Sequence, residues 1–263
     1  MVLGKLKETI EKVIQIPHIK KVIKQSFLYG WLNPLRDRFD TALDSLSKYK
    51  IKKILDNKED PLIIEIGASN GADSVAFLQI FKKATLYCFE PSPLALEAFK
   101  NRMSLLKKSK LWNYSLVPLA LSNENSQMNL YLMDEDPKFM QATLKELKNA
   151  RNMITYSGHE KRVSKSIKIK TKRLDDWVKE RGIEKIELIW ADVEGAEENL
   201  IEGGADTLIN KTRFFYTEYS NIELFKGQIS LKEILKMLPG FKVRWISENN
   251  VLLENVNLNK KLI

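Results

Sequence analysis

Apolar residues recur along this chain at two different spacings, and the change from one to the other divides it. Through residues 1–58 they fall at three- and four-residue steps (Leu3, Leu6, Ile10, Val13, Ile14, then Ile19, Val22, Ile23), with a break at Pro17. An aromatic stretch from Phe27 to Trp31 and a turn at Asn33-Pro34 lead into Phe39, Leu43, Leu46, Ile51, Ile54 and Leu55, which resume helical spacing. From residue 61 onward, short apolar runs of strand length alternate with helical stretches. Leu62 to Ile66 predicts a buried strand, and Ala72 to Phe81 an amphipathic helix with Val75, Phe77, Leu78 and Phe81 on its apolar side. Ala84 to Phe89 is a second strand, stopped by Pro91 and Pro93, with Ser92 or Pro93 opening the next helix.

Ser115 to Leu121 predicts a third strand, and Gln127 to Met133 and Ser166 to Thr171 alternate as half-exposed strands do. Leu174 to Val178 opens a short helix, while Asp134 to Lys165 is charged and weakly periodic, an insertion or lid with room for helical stretches. Ile186 to Ala191 and Phe214 to Thr217 give the fourth and fifth core strands. Phe241 to Ile246 and Val251 to Glu254 flank a turn at Asn249-Asn250. Strands alternating with helices, then a terminal hairpin, predict an α/β fold with a mostly parallel sheet and an antiparallel edge. The expected organisation is a helical segment over 1–58 followed by one α/β domain over 59–263, with 134–165 inserted.

Composition narrows this little. At 263 residues and 44% hydrophobic, the chain can bury one substantial core. No apolar run is long enough to span a membrane, and the N-terminus does not read as a cleaved leader, so the expected location is cytoplasmic. Cys88 is the single cysteine and lies in a predicted strand, which excludes an internal disulfide and argues against a thiolate nucleophile. The formal charge is +9, of which +7 belongs to residues 1–58. A basic helical segment suits packing against the domain, a partner protein or a membrane surface.

The candidate chemistry sits at the strand ends. Glu65-Ile66-Gly67-Ala68-Ser69-Asn70-Gly71 joins a strand to a helix N-terminus through a glycine turn, where backbone N–H groups meet a ligand at close range. The glycine pattern of dinucleotide sites is absent; acid-x-Gly-x-x-x-Gly is the usual form of an S-adenosylmethionine site. Glu90, at the end of the second strand, is placed to accept hydrogen bonds from ribose hydroxyls. In open α/β sheets ligands lie beyond the carboxyl ends of the strands. Those ends gather Glu65, Glu90, Ser122 with Asn123, Asp192 with Glu194, and Glu218.

With these blocks in order, the sequence resembles the FkbM-type S-adenosylmethionine-dependent methyltransferases. The resemblance is carried by Glu65 to Gly71 with Ser74, Phe89 to Pro93, Leu119 to Asn123, Lys170 to Asp176, and above all Asp192-Val193-Glu194-Gly195-Ala196-Glu197 with Gly203-Gly204-Ala205. It implies a Rossmann-like class I methyltransferase fold. Glu65, Gly67, Ala68, Ser69, Asn70, Gly71 and Ser74 would serve the methionine part of the cofactor, and Glu90, Pro91 and Ser92 the ribose. Ala120, Leu121 and Ser122 would flank the adenine, and Asp192 would stand beside the methyl group. The family more often has Asp at position 65 and Gly-Asp where this chain has Ser122-Asn123. The first change keeps the charge, and the second leaves Asn123 to accept from the adenine amino group.

The family methylates hydroxyl oxygens, often on sugars or glycans and sometimes on polyketides. The implied acceptor here is therefore a sugar, glycan or glycoconjugate. Such a transfer needs the hydroxyl held close and its proton taken up. Asp192 is the candidate base, and Glu194 and Glu218 are candidate acceptor contacts or, with Asp192, ligands of a divalent cation such as magnesium. His159 in the insertion is an alternative base, and Trp112, Tyr156, Tyr216 and Tyr219 are candidate sugar-stacking rings. Two competing readings are an RNA methyltransferase, suggested by a pI near 9.3, and a scaffold that has kept the fold without catalysis. Against the first, no Asn-Pro-Pro-aromatic motif follows the fourth strand and the basic excess lies outside the domain. Oligomeric state stays open.

Overall fold

The computed structural model describes residues 50–55, 58–106, 111–133, 141–146, 153–154, 160–161, 163–221, 223, 225–247 and 249–259. Two compact units divide the chain, Met1–Ile51 and Lys52–Ile263. The helical spacing expected over residues 1–49 lies outside the described residues. All that follows concerns the second unit.

Its main sheet has seven strands. Five run parallel: β1 (Leu62–Ile66), β2 (Thr85–Phe89), β3 (Asn113–Val117), β10 (Ile186–Ala191) and β11 (Thr212–Glu218). The sheet is completed by β12 (Phe241–Ser247) and β13 (Asn250–Asn255), in the order β12-β13-β11-β10-β1-β2-β3. β13 runs antiparallel to both its neighbours, so β12 returns to the common direction. β10 is buried at all six positions, as a strand covered on both faces must be. Glu187 within it is tolerated because Lys58 Nζ donates to it at 2.6 Å and the Leu62 amide at 2.9 Å.

Helices cover both faces. α1 (Ala72–Ile80) and α2 (Pro93–Leu105) lie on one, with Phe77 edge-on to Trp190 at 5.2 Å and Phe99 beside Tyr114. On the other lie α3 (Leu174–Glu180), α4 (Glu197–Gly203), α5 (Ala205–Lys211) and α6 (Leu231–Met237). Trp177, Leu200, Leu208 and Ile234 from these helices join Ile64, Ile66, Ile189 and Phe215 in one core. A final turn, α7 (Val256–Asn259), closes the unit.

Between β3 and α3 the chain builds a second sheet. β3 stops at Val117, and Pro118 separates it from β4 (Ala120–Leu121), which pairs in parallel with β9 (Val163–Lys172) and not with the main sheet. The expected single strand over Ser115 to Leu121 is therefore two strands in two sheets. β5 (Gln127–Met133) pairs antiparallel with β9 and with β6 (Gln141–Thr143), giving the order β4-β9-β5-β6. A separate pair, β7 (Met153–Ile154) and β8 (Glu160–Lys161), completes what is described of the insertion. No described part of 134–165 is helical, and Ala142 and Leu144 from it pack with Leu132 and Ile167 against the small core of this sheet, Ala120, Leu130 and Ile169. The root of this sheet sits hard on α4, where a Cβ at Gly203 would come within 1.9 Å of the Ser122 carbonyl oxygen.

The Lys170 to Asp176 block is architectural. Asp175 accepts from the Thr207 amide at 2.8 Å at the start of α5, and Asn125 accepts from the Arg173 amide at 2.8 Å ahead of α3. Asn255 plays the matching part at the other end of α5: its side-chain amide donates to the carbonyls of Ile209 at 2.8 Å and Thr212 at 3.2 Å while wholly buried. Replacing Asn255 by Ala strands those carbonyls in the core. The expected cost is about 2 kcal/mol, read as a lower urea midpoint with unchanged slope. An unchanged midpoint would show that the carbonyls find other partners.

Candidate active site

The five parallel strands bring their carboxyl ends to one edge of the sheet, and a cleft of about 300 Å³ opens there. Its floor begins at the tip of β1. The Asp192 amide donates to the Ile66 carbonyl at 2.9 Å, and the amides of Gly67 and Ala68 both donate to the Phe89 carbonyl at 2.9 Å. Gly67 has φ +86°, and a Cβ there would stand 1.9 Å from the carbonyl oxygen of Asp192. Only glycine lets the turn leave β1 so close to the end of β10. Beyond it the chain tightens again through the Gly71 amide to the Ala68 carbonyl at 2.8 Å, and α1 begins.

Glu90 forms one wall. Its two carboxylate oxygens each take a backbone amide, from Ser69 at 2.8 Å and from Ser92 at 2.8 Å. This ties the glycine turn to the end of β2. Burial pushes the Glu90 pKa up to about 7, partly offset by those two amides. Across the cleft, Asp192, Val193, Glu194 and Ala196 follow β10. Asp192 is exposed where it opens onto the cleft. Poor hydration raises its pKa well above the usual carboxylate range, and the negative charges of Glu218, Glu194, Asp73 and Glu197 raise it further.

Several of the expected residues do come together. Gly67, Ser69, Glu90, Pro91, Ala120, Leu121, Asp192 and Glu194 all line the cleft. Others support it from outside. Glu65 and Ser74 lie buried beneath the turn, bonded hydroxyl to carboxylate. Asn70 uses its side chain to accept from the Ala72 amide at 3.1 Å, and its carbonyl takes Arg102 Nε at 2.8 Å. Ala68, Gly71 and Ser92 shape the backbone without lining the cleft.

Four expectations differ from what the structure shows. Ser122 does not end a strand of the main sheet: it is wholly buried, its hydroxyl turned to Met128 Sδ and Asn123, while Asn123 engages Glu202 and Asn199 on α4. The residues of this block that line the cleft are Leu119 to Leu121, one step earlier, because Pro118 diverts the chain out of the main sheet. Nor is Tyr216 a free platform, since it stacks on Trp190 at 3.6 Å within the core. Glu218 ends β11 and acts on Asp192 through its charge, but does not line the cleft. Among the described residues no group of three or more His, Cys, Asp or Glu is arranged to hold a metal ion, so Asp192, Glu194 and Glu218 do not form the cation site considered above. His159 and Tyr156 lie outside the described residues.

The sequence reading treated 134–165 as an insertion or lid but named none of the residues that form the third wall. Leu130 of β5 and Ala142, Thr143 and Leu144 at the end of β6 face into the cleft, so the inserted sheet closes it. Thr143 Oγ1 donates to the Glu194 carbonyl at 2.6 Å, and Lys226 N to the Glu146 carbonyl at 2.9 Å. The only sequence sign was the alternation in β5, which marks a buried face without saying what it covers.

The strand order, its single reversed strand, the glycine bend against β10 and the buried acid after β2 define a class I, Rossmann-like methyltransferase that uses S-adenosylmethionine. The residues fit that cofactor: an uncluttered bend, a carboxylate oriented by two amides, an apolar slot at Leu119, Leu121 and Leu130, and a volume in the range of small-molecule sites. The model of the methyltransferase FkbM domain matches residues 65–245, and the chain belongs to that family. It is 35% identical over 249 residues to 2-O-methyltransferase NoeI of Sinorhizobium fredii (strain NBRC 101917 / NGR234), covering 91% of this chain and 99% of that protein. Among solved structures it is similar to precorrin-6y C5,15-methyltransferase from Geobacter metallireducens GS-15, at 11% identity and a TM-score of 0.42, over 78% of this chain and 84% of that one. It is similar also to Aeropyrum pernix fibrillarin with natively bound S-adenosyl-L-methionine, at 10% identity and a TM-score of 0.41, over 74% and 67%.

Two outcomes are expected at this site. Gly67→Ala should abolish measurable S-adenosylmethionine binding by calorimetry, because the turn must move away from Asp192 to admit the methyl group. Hydroxyls bond best to an ionised carboxylate, so affinity should rise between pH 6 and 8 as Glu90 loses its proton near pH 7, by about threefold to tenfold. Glu90→Gln should flatten that rise, and a slope unchanged by the substitution would remove Glu90 from cofactor binding.

Proposed function

We propose that this protein transfers a methyl group from S-adenosylmethionine to a hydroxyl oxygen of a sugar or glycoconjugate. The observation that carries the reading is the place of Asp192: it opens onto the cleft beside Glu194 and is held at the crossing of β1 and β10 by its own amide. The 35% identity to a 2-O-methyltransferase over nearly the whole of both chains supports oxygen as the atom methylated. S-adenosylmethionine, when bound, would supply an electrophilic methyl group whose bond to sulfur breaks in the transfer, leaving the neutral thioether S-adenosylhomocysteine.

The chain's own residues supply the rest. Gly67 and Ser69 would carry the methionine portion along the bend, Glu90 the ribose hydroxyls, and Leu119 to Leu121 the adenine. Asp192 accepts a hydrogen bond from the acceptor hydroxyl, fixes the direction of its oxygen lone pair, and takes the proton onto a carboxylate oxygen as the C–O bond forms. A raised pKa suits this, because the carboxylate is a stronger base than a solvated aspartate. Glu194, on the same loop, offers the acceptor a further hydrogen bond. Leu130, Ala142 and Leu144 exclude water, whose oxygen would otherwise compete with the acceptor. No described helix is long and apolar enough to cross a membrane.

The direct test is incubation with methyl-labelled S-adenosylmethionine and a panel of methyl glycosides (hexose, deoxyhexose and amino-sugar), with products read by mass. Label on a glycoside hydroxyl is the expected result. Label on RNA offered in parallel, with none on any sugar, would overturn the reading. Asp192→Asn should lower kcat by about a hundredfold or more while cofactor affinity changes little. The pH profile of kcat/KM should rise with pH, with an acid limb above the ordinary carboxylate range. Glu218→Gln removes a neighbouring negative charge and should shift that limb to lower pH. A limb that stays put would show that Asp192 is not the group titrating.

A further inference from the structure

The loop after β10 carries an unusual peptide unit. Glu194 has φ 48° and Gly195 φ 93°, and the Ala196 amide donates back to the Val193 carbonyl at 3.2 Å. Two consecutive positive φ values inside such a turn are the mark of a type I′ turn. Gly195 adopts this freely, but Glu194 does so only under constraint, and strained non-glycine residues persist where surrounding contacts hold them.

Those contacts grip the Glu194–Gly195 peptide at both ends. The carbonyl oxygen of Glu194 accepts from Thr143 Oγ1 at 2.6 Å, and the amide of Gly195 donates to Glu197 Oε1 at 3.2 Å. Thr143 is 1% exposed and Glu197 fully buried, so neither bond competes with water. A hydroxyl has one proton to give. Thr143 Oγ1 accepts from the Lys145 amide at 3.0 Å, which directs that proton to Glu194. Thr143 belongs to β6 of the inserted sheet, while Glu194 follows β10 of the main sheet. The bond therefore joins the two sheets across the cleft, and residues on both sides of it line the cavity.

We propose that Thr143 is a positioning residue for methyl transfer: its hydroxyl, opposite the Glu197 carboxyl, clamps the Glu194–Gly195 peptide and so sets the Asp192–Glu194 loop for the acceptor. The inference rests on the assignment of Asp192 and Glu194 to the acceptor side. It gives the insertion a role in turnover that is separate from cofactor binding. It also gives Glu197, a buried acid whose Oε2 has no hydrogen-bond partner among the described residues, a reason to be where it is.

The test compares Thr143→Val, which keeps the shape and loses the proton, with Thr143→Ser, which restores the hydroxyl. Calorimetry with S-adenosylmethionine should give a dissociation constant for Thr143→Val within about twofold of the parent, since the bend and Glu90 are untouched. Hydrogen exchange of the Gly195 and Ala196 amides should quicken by about tenfold, with the β1 and β10 amides unchanged. Using a methyl glycoside that the parent methylates, kcat/KM should fall by about tenfold to a hundredfold, and Thr143→Ser should recover most of the loss. If the valine variant folds poorly, Thr143→Ala reads the same loss of the hydroxyl with a smaller side chain. Parent-like exchange and parent-like turnover in these variants would overturn the clamp. A parent that methylates no glycoside would instead overturn the acceptor assignment, while the exchange measurement would still decide whether the hydroxyl holds the peptide.

Discussion

The tips of β1 and β10 run against each other with no side chain between them. The contact at Gly67 and the carbonyl of Asp192 fixes the height at which the bend leaves the sheet, and the Asp192 amide on Ile66 fixes the same crossing from the other strand. The rest of the cleft is referenced to this point. Glu90 takes its place because its oxygen is bonded to Ser69 in the bend, and the Asp192–Glu194 loop begins where β10 is pinned. A single steric allowance thus puts the glycine bend and the Asp192 carboxylate in one register.

The site also separates its acids by surroundings, not by type. Glu65 is sunk beneath the turn and bonded to Ser74, where it supports backbone. Glu90 is buried but given two amides, and its pKa settles near neutrality. Glu197 is buried, and burial likewise carries it to about 7, partly offset by the amides of Glu197 itself and Gly195. Asp192 stands among the negative charges of Glu218, Glu194, Asp73 and Glu197, which add to the upward shift of its pKa. Carboxyl groups in neighbouring positions acquire different tasks in this way. For Glu90 and Glu197 the folded chain holds protons that the unfolded chain has released above about pH 4.5. Their contribution to stability is accordingly present in acid and is lost as pH rises through about 7.

Much of this was legible in the chain itself. β1, β2 and β10 fall within a residue of the apolar runs that predict them, because strands buried in a parallel sheet need nearly continuous apolar stretches and end at Gly, Pro or an acid; β5 instead matches the alternation of a half-exposed strand. The bend, Glu90 and Asp192 follow from that framework. The split between β3 and β4 was not legible, since a proline inside an apolar run does not say which sheet the next two residues will join. The inserted sheet was hidden for a related reason. β5 pairs with β9 across a long, charged stretch, and β6 has only three residues, too few for any period to show. Thr143 therefore gave no sign of its place opposite Glu194, which depends on pairing between segments distant in sequence. Ser122 misled because its position after an apolar run looks like a strand end, whereas its carbonyl is packed against Gly203.

That packing at Gly203 has an evolutionary consequence. The inserted sheet is rooted where Ser122 meets α4 and where Asn123 bonds Asn199 and Glu202. Its connecting sequences beyond the root can lengthen, shorten or change composition at only a slowly growing entropic cost. Substrate range can then drift among descendants of one ancestor by editing those connections, while the methyl-donor pocket is inherited unaltered.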